Sequence, residues 1–316
     1  MSDLARPPRE AYRDALLELM AADASVYCID TDTGLFNDID FGASRERYVN
    51  LGIAEQNLMG VAAGLAASGK RPFVHTLATF AATRALEQVK VDIAYNALPV
   101  RIVCTHAGFS AGHLGPTHHA LEDIATLRVL PNMTVVVPAD ATQAAAAAHQ
   151  ANALPGPVYV RLGRGAVPAL TEGGPLRIGT PDVIRTGKDA TILACGPHPI
   201  QAALAACDML RADGIQAAVV NVHTVKPLDR AALLSIVAGR PVVTVEEHWT
   251  AGGFGGAIAE LVSEAAPNFV WRIGVDDVFA SGAGDPRWLL QRHGITAQAI
   301  AKAVRTLSRE VPKCRS

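Results

Sequence analysis

Three clusters of residues in this sequence have the types and spacing to do chemistry. Glu55 stands at the lip of a small-residue apolar stretch, residues 61–67. A carboxylate there either caps a helix, because the N-terminal dipole and the capping box both favour Glu in a first turn, or does chemistry. Segment 105–119 carries four histidines, His106, His113, His118 and His119, in a glycine-rich loop directly after a strand-like run. The carboxyl end of a parallel sheet is where open α/β folds seat ligands, and four histidines in one such loop are hard to explain as packing. Metal binding is the rival reading, but no carboxylate or cysteine lies nearby at ligand spacing. Arg164 sits between Gly163 and Gly165 at another strand end. A guanidinium there can grip an anion bidentately or simply be solvated. Phe80, in a small-residue segment entering a helix, reads as core more readily than as a ligand platform.

The elements that must position these residues follow from periodicity. Short β-branched runs at 25–29, 72–75, 100–105, 134–137, 158–161, 190–195, 217–221, 242–246 and 270–273 read as strands. Helical stretches fall at 8–21, 54–67, 81–93, 122–129, 141–150, 199–213, 229–238, 255–266 and 296–308. Continuous apolar strands alternating with helices predict an α/β protein with parallel or mostly parallel sheets covered on both faces. Residues 168–188 lack periodicity and carry Gly, Pro, Thr and charge. We divide the chain there, into a first domain at 1–170, a linker at 171–188 and a second domain at 189–316.

Bulk properties exclude several classes. The chain has 316 residues, 50% hydrophobic and 18% charged, with a net charge of -2. That balance supplies a full core and no basic face for nucleic acid. No apolar run reaches membrane-spanning length, and the polar N-terminus does not read as a secretory signal. Cys28, Cys104, Cys195, Cys207 and Cys314 are scattered, with no metal-like spacing. A cytoplasmic protein is expected, with Cys28, Cys104 and Cys195 as small core residues.

Taken together, Asn50-Leu51-Gly52-Ile53-Ala54-Glu55-Gln56-Asn57, the Gly115-Pro116-Thr117-His118 loop with its following segment to Asp140, and Val160-Arg161-Leu162-Gly163-Arg164-Gly165 resemble the C-terminal half of transketolase, in the family's order and spacing. The resemblance runs over nearly the whole chain and implies a pyrimidine-binding domain followed by a transketolase C-terminal domain. Deoxyxylulose-phosphate synthase shares Phe80 and the segment around Arg84 to Gln88. The β subunits of 2-oxoacid dehydrogenases share the Glu motif but typically lack the Gly-Pro-Thr-His loop. The resemblance implies thiamine diphosphate as cofactor. Glu55 would bond N1′ of its aminopyrimidine and favour the tautomer that deprotonates the thiazolium carbon, after which the cofactor serves as electron sink. Phe80 would stack on the pyrimidine, with Leu77 beside it and Asp32 near the thiazolium ring. His118 would lie near the 4′-amino group and His106 near the donor sugar. Arg164 and Arg9 would hold a substrate phosphate, and His113 and Leu114 would line the donor site.

Two departures sharpen the expectation. The family's Gly-Asp-Gly…Asn signature for a magnesium diphosphate is absent. Gly284-Asp285 is followed by Pro286. The magnesium ligands are therefore expected from a separate diphosphate-binding subunit, in an α2β2 heterotetramer. Leu114 stands where these enzymes usually carry an Asp that contacts a donor hydroxyl, and Phe36 stands where some carry a phosphate-contacting Ser. The expected reaction is two-carbon ketol transfer from a phosphorylated ketose to an aldehyde, with a donor that lacks that hydroxyl or is held in another way. The rivals are the β subunit of a 2-oxoacid-decarboxylating enzyme, a deoxyxylulose-phosphate-synthase-like chain, and a non-catalytic stabilising subunit. Glu246, Glu247 and His248 look site-like by composition. The resemblance assigns them to structure.

Overall fold

The computed structural model describes residues 6–171 and 176–310. Cys314 and positions 172–175 of the expected linker lie outside the described residues. In chain order the strands are β1 (Val26–Asp30), β2 (Tyr48–Asn50), β3 (Arg71–Leu77), β4 (Arg101–Thr105), β5 (Thr134–Val136), β6 (Val158–Arg161), β7 (Asp182–Arg185), β8 (Ala190–Cys195), β9 (Ala217–Asn221), β10 (Thr224–Lys226), β11 (Val242–Trp249) and β12 (Val270–Val275).

They form two sheets. The first has the order β10-β5-β6-β4-β3-β1-β2, all parallel except β10, which runs antiparallel to β5. The second has the order β12-β11-β8-β9-β7, parallel except for β7. Every residue of β4, β8 and β9 is buried, as expected for strands covered on both faces. The alanine run of helix Ala141–Ala153 turns Ala144, Ala147, Ala148 and Ala151 inward against helix Pro8–Ala22. Asp140 caps that helix by accepting from Gln143 N at 2.9 Å. Cys28, Cys104, Cys195 and Cys207 are all buried free thiols.

Five elements depart from the sequence reading. Residues 81–93, expected as one helix, break into Ala78–Ala82, Leu86–Gln88 and a π-helix at Val89–Ala94. The break arises where the Thr83 hydroxyl takes the Thr79 carbonyl at 2.7 Å and Ala85 N bonds Phe80 O, five residues back. Such widened turns are frequent at functional sites. β7 lies inside the expected linker, and β2 and β10 are short unpredicted strands. Each has too few residues for period-two alternation to register. Helix Pro286–Arg292 is also unpredicted. The Gly-Asp weighed against the diphosphate signature ends in its N-cap, Asp285, which accepts from Arg287 N at 2.7 Å.

Because β1 to β6 run parallel, their carboxyl ends share one edge of the first sheet. Asp30, Leu77, His106 and the loop to Arg164 all leave from that edge.

Candidate active site

Glu55 is the first residue of helix Glu55–Ala67, yet it does not cap it. The N-cap position is Ala54, with no side-chain cap bond. The Glu55 side chain is 3% exposed and turns to Arg84, whose Nη1 donates to Oε2 at 2.7 Å. Among the described residues, Oε1 accepts no hydrogen bond. Arg84 lies on the turn created by the broken helix, with its guanidinium 4.1 Å from the centre of the Phe80 ring. Phe80 in turn meets His118 in an edge-to-face contact, 5.3 Å between centroids. Glu55, Arg84, Phe80 and His118 are thus one contiguous group, drawn from three elements.

The histidine loop closes on itself. Gly108 and Ala120 exchange backbone hydrogen bonds at 3.1 Å, pinching residues 109–119 into a lobe. His106 precedes the pinch and takes a left-handed backbone, φ 60°. It is 8% exposed, and burial, with Arg164 and Arg9 adding, pushes its pKa down to about 4. Asp32, at φ 64°, is likewise a non-glycine residue in this region. Strain of this kind, about 1 kcal/mol or more per residue, collects at functional sites.

The cations gather at the same edge. Arg164 is exposed and pairs with His113 Nε2 at 3.1 Å. Arg9, in the first turn of helix Pro8–Ala22, feels burial first and then the charge of Arg164, both of which lower its pKa. Leu114 is 44% exposed beside them. Asp32 is exposed, whereas its neighbour Asp30 is buried and raised to about 6 by desolvation. Phe36 is 4% exposed in a cluster with Phe41, Tyr48 and His75, as a core residue. Leu77 ends β3, half-buried.

Residues 7–169 match the family described as "Transketolase, pyrimidine binding domain", and residues 179–300 match "Transketolase, C-terminal domain". The chain belongs to the transketolase family. The 6-deoxy-6-sulfo-D-fructose transketolase subunit SqwH of Clostridium sp. (strain MSTE9) is 40% identical over 93% of this chain and 92% of its own length. A subunit of the apulose-4-phosphate transketolase of Phocaeicola vulgatus is 39% identical over 93% of this chain and 95% of its own. A solved structure described as "Split gene transketolase, inactive beta4 tetramer" superposes with a TM-score of 0.88 at 44% identity, covering 96% of this chain and 98% of that one.

The residues present fit the pyrimidine half of a transketolase's thiamine diphosphate. A buried carboxylate with one oxygen free, an aromatic ring and a histidine against that ring match a flat heterocycle with a basic ring nitrogen and an amino group. Sequence reasoning passed over Arg84 and Glu122. Arg84 was visible only as part of the stretch shared with deoxyxylulose-phosphate synthase. Glu122 accepts from the Thr79 hydroxyl at 2.7 Å and Leu121 N at 2.9 Å, and burial raises its pKa. It borders a cavity of about 280 Å³ between Thr79, His119 and Trp249. Placed between Leu121 and Asp123, this half-buried residue carried no clear signal in the sequence.

Proposed function

We propose that this chain is the pyrimidine-side subunit of a two-subunit, thiamine-diphosphate-dependent transketolase. It would move a two-carbon ketol unit from a ketose to an aldehyde acceptor. The observation that carries this reading is Glu55, a buried carboxylate that caps nothing and keeps Oε1 free while Arg84 holds Oε2.

Bound here, thiamine diphosphate would supply the electron sink for breaking a carbon–carbon bond beside the donor carbonyl. Glu55 would share a proton at Oε1 with pyrimidine N1′, and Phe80 would face the ring, with Leu77 and Asp32 nearby. His118 would lie toward the 4′-amino group. His106, neutral because burial holds its pKa near 4, can accept or donate a hydrogen bond to a donor hydroxyl without bringing a charge. Arg164 and Arg9 supply a cationic field for a terminal anion on the donor, with His113 Nε2 accepting from Arg164 beside them. Two relatives whose names carry a sulfo sugar and a sugar phosphate support an anionic ketose. Leu114 removes an acceptor from this wall, so the donor would lack the matching hydroxyl or be held otherwise.

The other half of the cofactor site, with its magnesium ligands, would come from a diphosphate-binding partner in an α2β2 assembly. The open side of helix Glu55–Ala67 supports that interface. A Cβ added at Gly60 or Gly64 would meet nothing within 4 Å, and Ile53, Val61, Val91 and Tyr95 are exposed around them. Among the described residues, no helix is long and apolar enough to cross a membrane. The four buried free thiols fit a reducing, cytoplasmic setting for the enzyme.

Mixing this chain with a partner that carries Gly-Asp-Gly…Asn tests the reading. Thiamine diphosphate should bind tightly only to the mixture, and ketose cleavage should follow. Binding by neither, or cleavage of a 2-oxoacid alone, refutes it. Leu114→Asp should shift donor preference by about 1–3 kcal/mol, roughly five- to 150-fold in kcat/KM, toward donors with the extra hydroxyl. An unchanged preference removes Leu114 from the donor site.

A further inference from the structure

The strand end Glu246-Glu247-His248 belongs to the second sheet, yet Glu247 reaches the histidine loop of the first. Its Oε1 accepts from Phe109 N at 2.5 Å. Its own carbonyl accepts from Arg161 Nη2 at 3.0 Å, and the same nitrogen donates to Ala120 O at 2.9 Å. Phe109 follows Gly108, and Gly108 and Ala120 are the two halves of the pinch that closes the loop. Glu247 therefore holds both ends of the lobe, one by its carboxylate and one through Arg161.

The fit is close. A Cβ on Gly108, itself at φ 58°, would overlap Glu247 Oε1 and Cδ. Further ties follow the same path. Trp249 N donates to Leu121 O at 3.0 Å, Gly284 N donates to Gly112 O at 2.9 Å, and His293 stacks on Phe109 at 5.5 Å. Within the first domain, the lobe is held by its own turns, by Ala107 N on Leu162 O, by Arg161 on Ala120 O, by Arg164 on His113 and by Phe80 against His118.

We infer that Glu247 is a positioning residue, through which the C-terminal domain sets the conformation of the histidine loop and so the spacing of His106 and His118. Its Oε1 is taken by Phe109 N, so it acts through the loop. The inference rests on the loop being a wall of the proposed site, but its test is read without substrate and stands apart from that assignment.

Hydrogen exchange of the 108–119 amides in the full chain is compared for wild type, Glu247→Gln, Glu247→Asp and Glu247→Ala. Gln keeps an oxygen at the same reach and should protect the loop within about twofold of wild type. Asp is one methylene short and Ala has no acceptor. Both should speed loop exchange about tenfold, the size of one buried hydrogen bond, while β3 and β4 keep their protection. The His106 and His118 ring signals in nitrogen–proton spectra should move in Asp and Ala and stay in place in Gln. If Ala fails to fold, Asp decides. Unchanged loop exchange in Asp, a Gln variant as open as Asp, or a uniform loss of protection across both sheets would each overturn the inference.

Discussion

Two strand ends in this molecule carry buried acids, and they use them in opposite ways. Glu55, after β2, is 3% exposed and Glu246, in β11, is 0% exposed. Glu246 spends both oxygens on backbone donors, accepting from Phe254 N at 2.6 Å and Gly255 N at 2.8 Å, the first turn of helix Phe254–Ala265. It is the helix cap that Glu55 was equally entitled to be. Glu55 leaves its helix uncapped and keeps an oxygen free. Residue type and burial are the same at both ends. What separates these two acids is unspent hydrogen-bonding capacity: Glu246 has both oxygens taken, and Glu55 keeps one for a partner.

The largest expected effect breaks that contrast directly. Glu55→Ala should lower turnover of the assembled enzyme about 1,000-fold, within the range for losing an acid–base group, and leave the melting temperature of the chain nearly unmoved. Glu246→Ala should do the reverse, lowering stability by about 2–3 kcal/mol through two orphaned amides with little change in kcat per folded molecule. Activity and thermal melts on the two variants, side by side, decide the matter. Equal behaviour would erase the distinction.

Asp123 sharpens the structural side. Although burial pushes its carboxyl up, Arg161 at 2.7 Å and the Tyr159 hydroxyl at 2.6 Å hold it below the usual carboxylate range. Removing one partner of a buried pair strands the other, so Asp123→Ala should cost about 3–5 kcal/mol in denaturant unfolding. A loss under about 1 kcal/mol would mean that water or a rearrangement replaces the pair.

The smallest effect is set by pH. His248 is buried and neutral, its pKa lowered to about 4 chiefly by burial, with Asp123 opposing. Nε2 accepts from Ala125 N at 3.2 Å, a bond that protonation removes. A histidine depressed on folding contributes stability that is complete above its unfolded value, near 6.5, and is lost as pH falls toward 4. The slope is at most about 1.4 kcal/mol per pH unit. Unfolding free energies should fall more steeply between about pH 7 and 5 in wild type than in His248→Gln, the difference being this slope, because buried His75 and His106 contribute alike to both. Parallel curves would show that His248 titrates alike in both states.

Much of this is legible in the sequence. Fully buried strands such as β4, β8 and β9 announce themselves by unbroken apolar runs, and the Glu55, His118 and Arg164 motifs by chemistry that packing does not need. The three-residue strands β2 and β10 are not legible, because their pairing is decided by neighbours far along the chain. Nor is the broken helix at 78–94, where side-chain bonds of Thr79 and Thr83 override an ordinary helical pattern. Arg84 stands four residues after Phe80, a spacing that puts both on one face of an ordinary helix, and nothing in sequence pairs it with Glu55. Glu247 stands out by composition yet reads as structural, since nothing in sequence says that a residue more than a hundred positions away will hold a loop.

β10 lies in the second half of the chain but completes the first sheet, lying against β5 with Thr224 opposite Val136 and Lys226 opposite Val135. Cutting at the connecting segment would not yield two modules. It would leave the first with a bare hydrogen-bonding edge along β5, a template for self-association. Anyone wishing to graft this pyrimidine-binding half onto another C-terminal domain would have to bring that strand along, as a piece of one architectural unit encoded inside another.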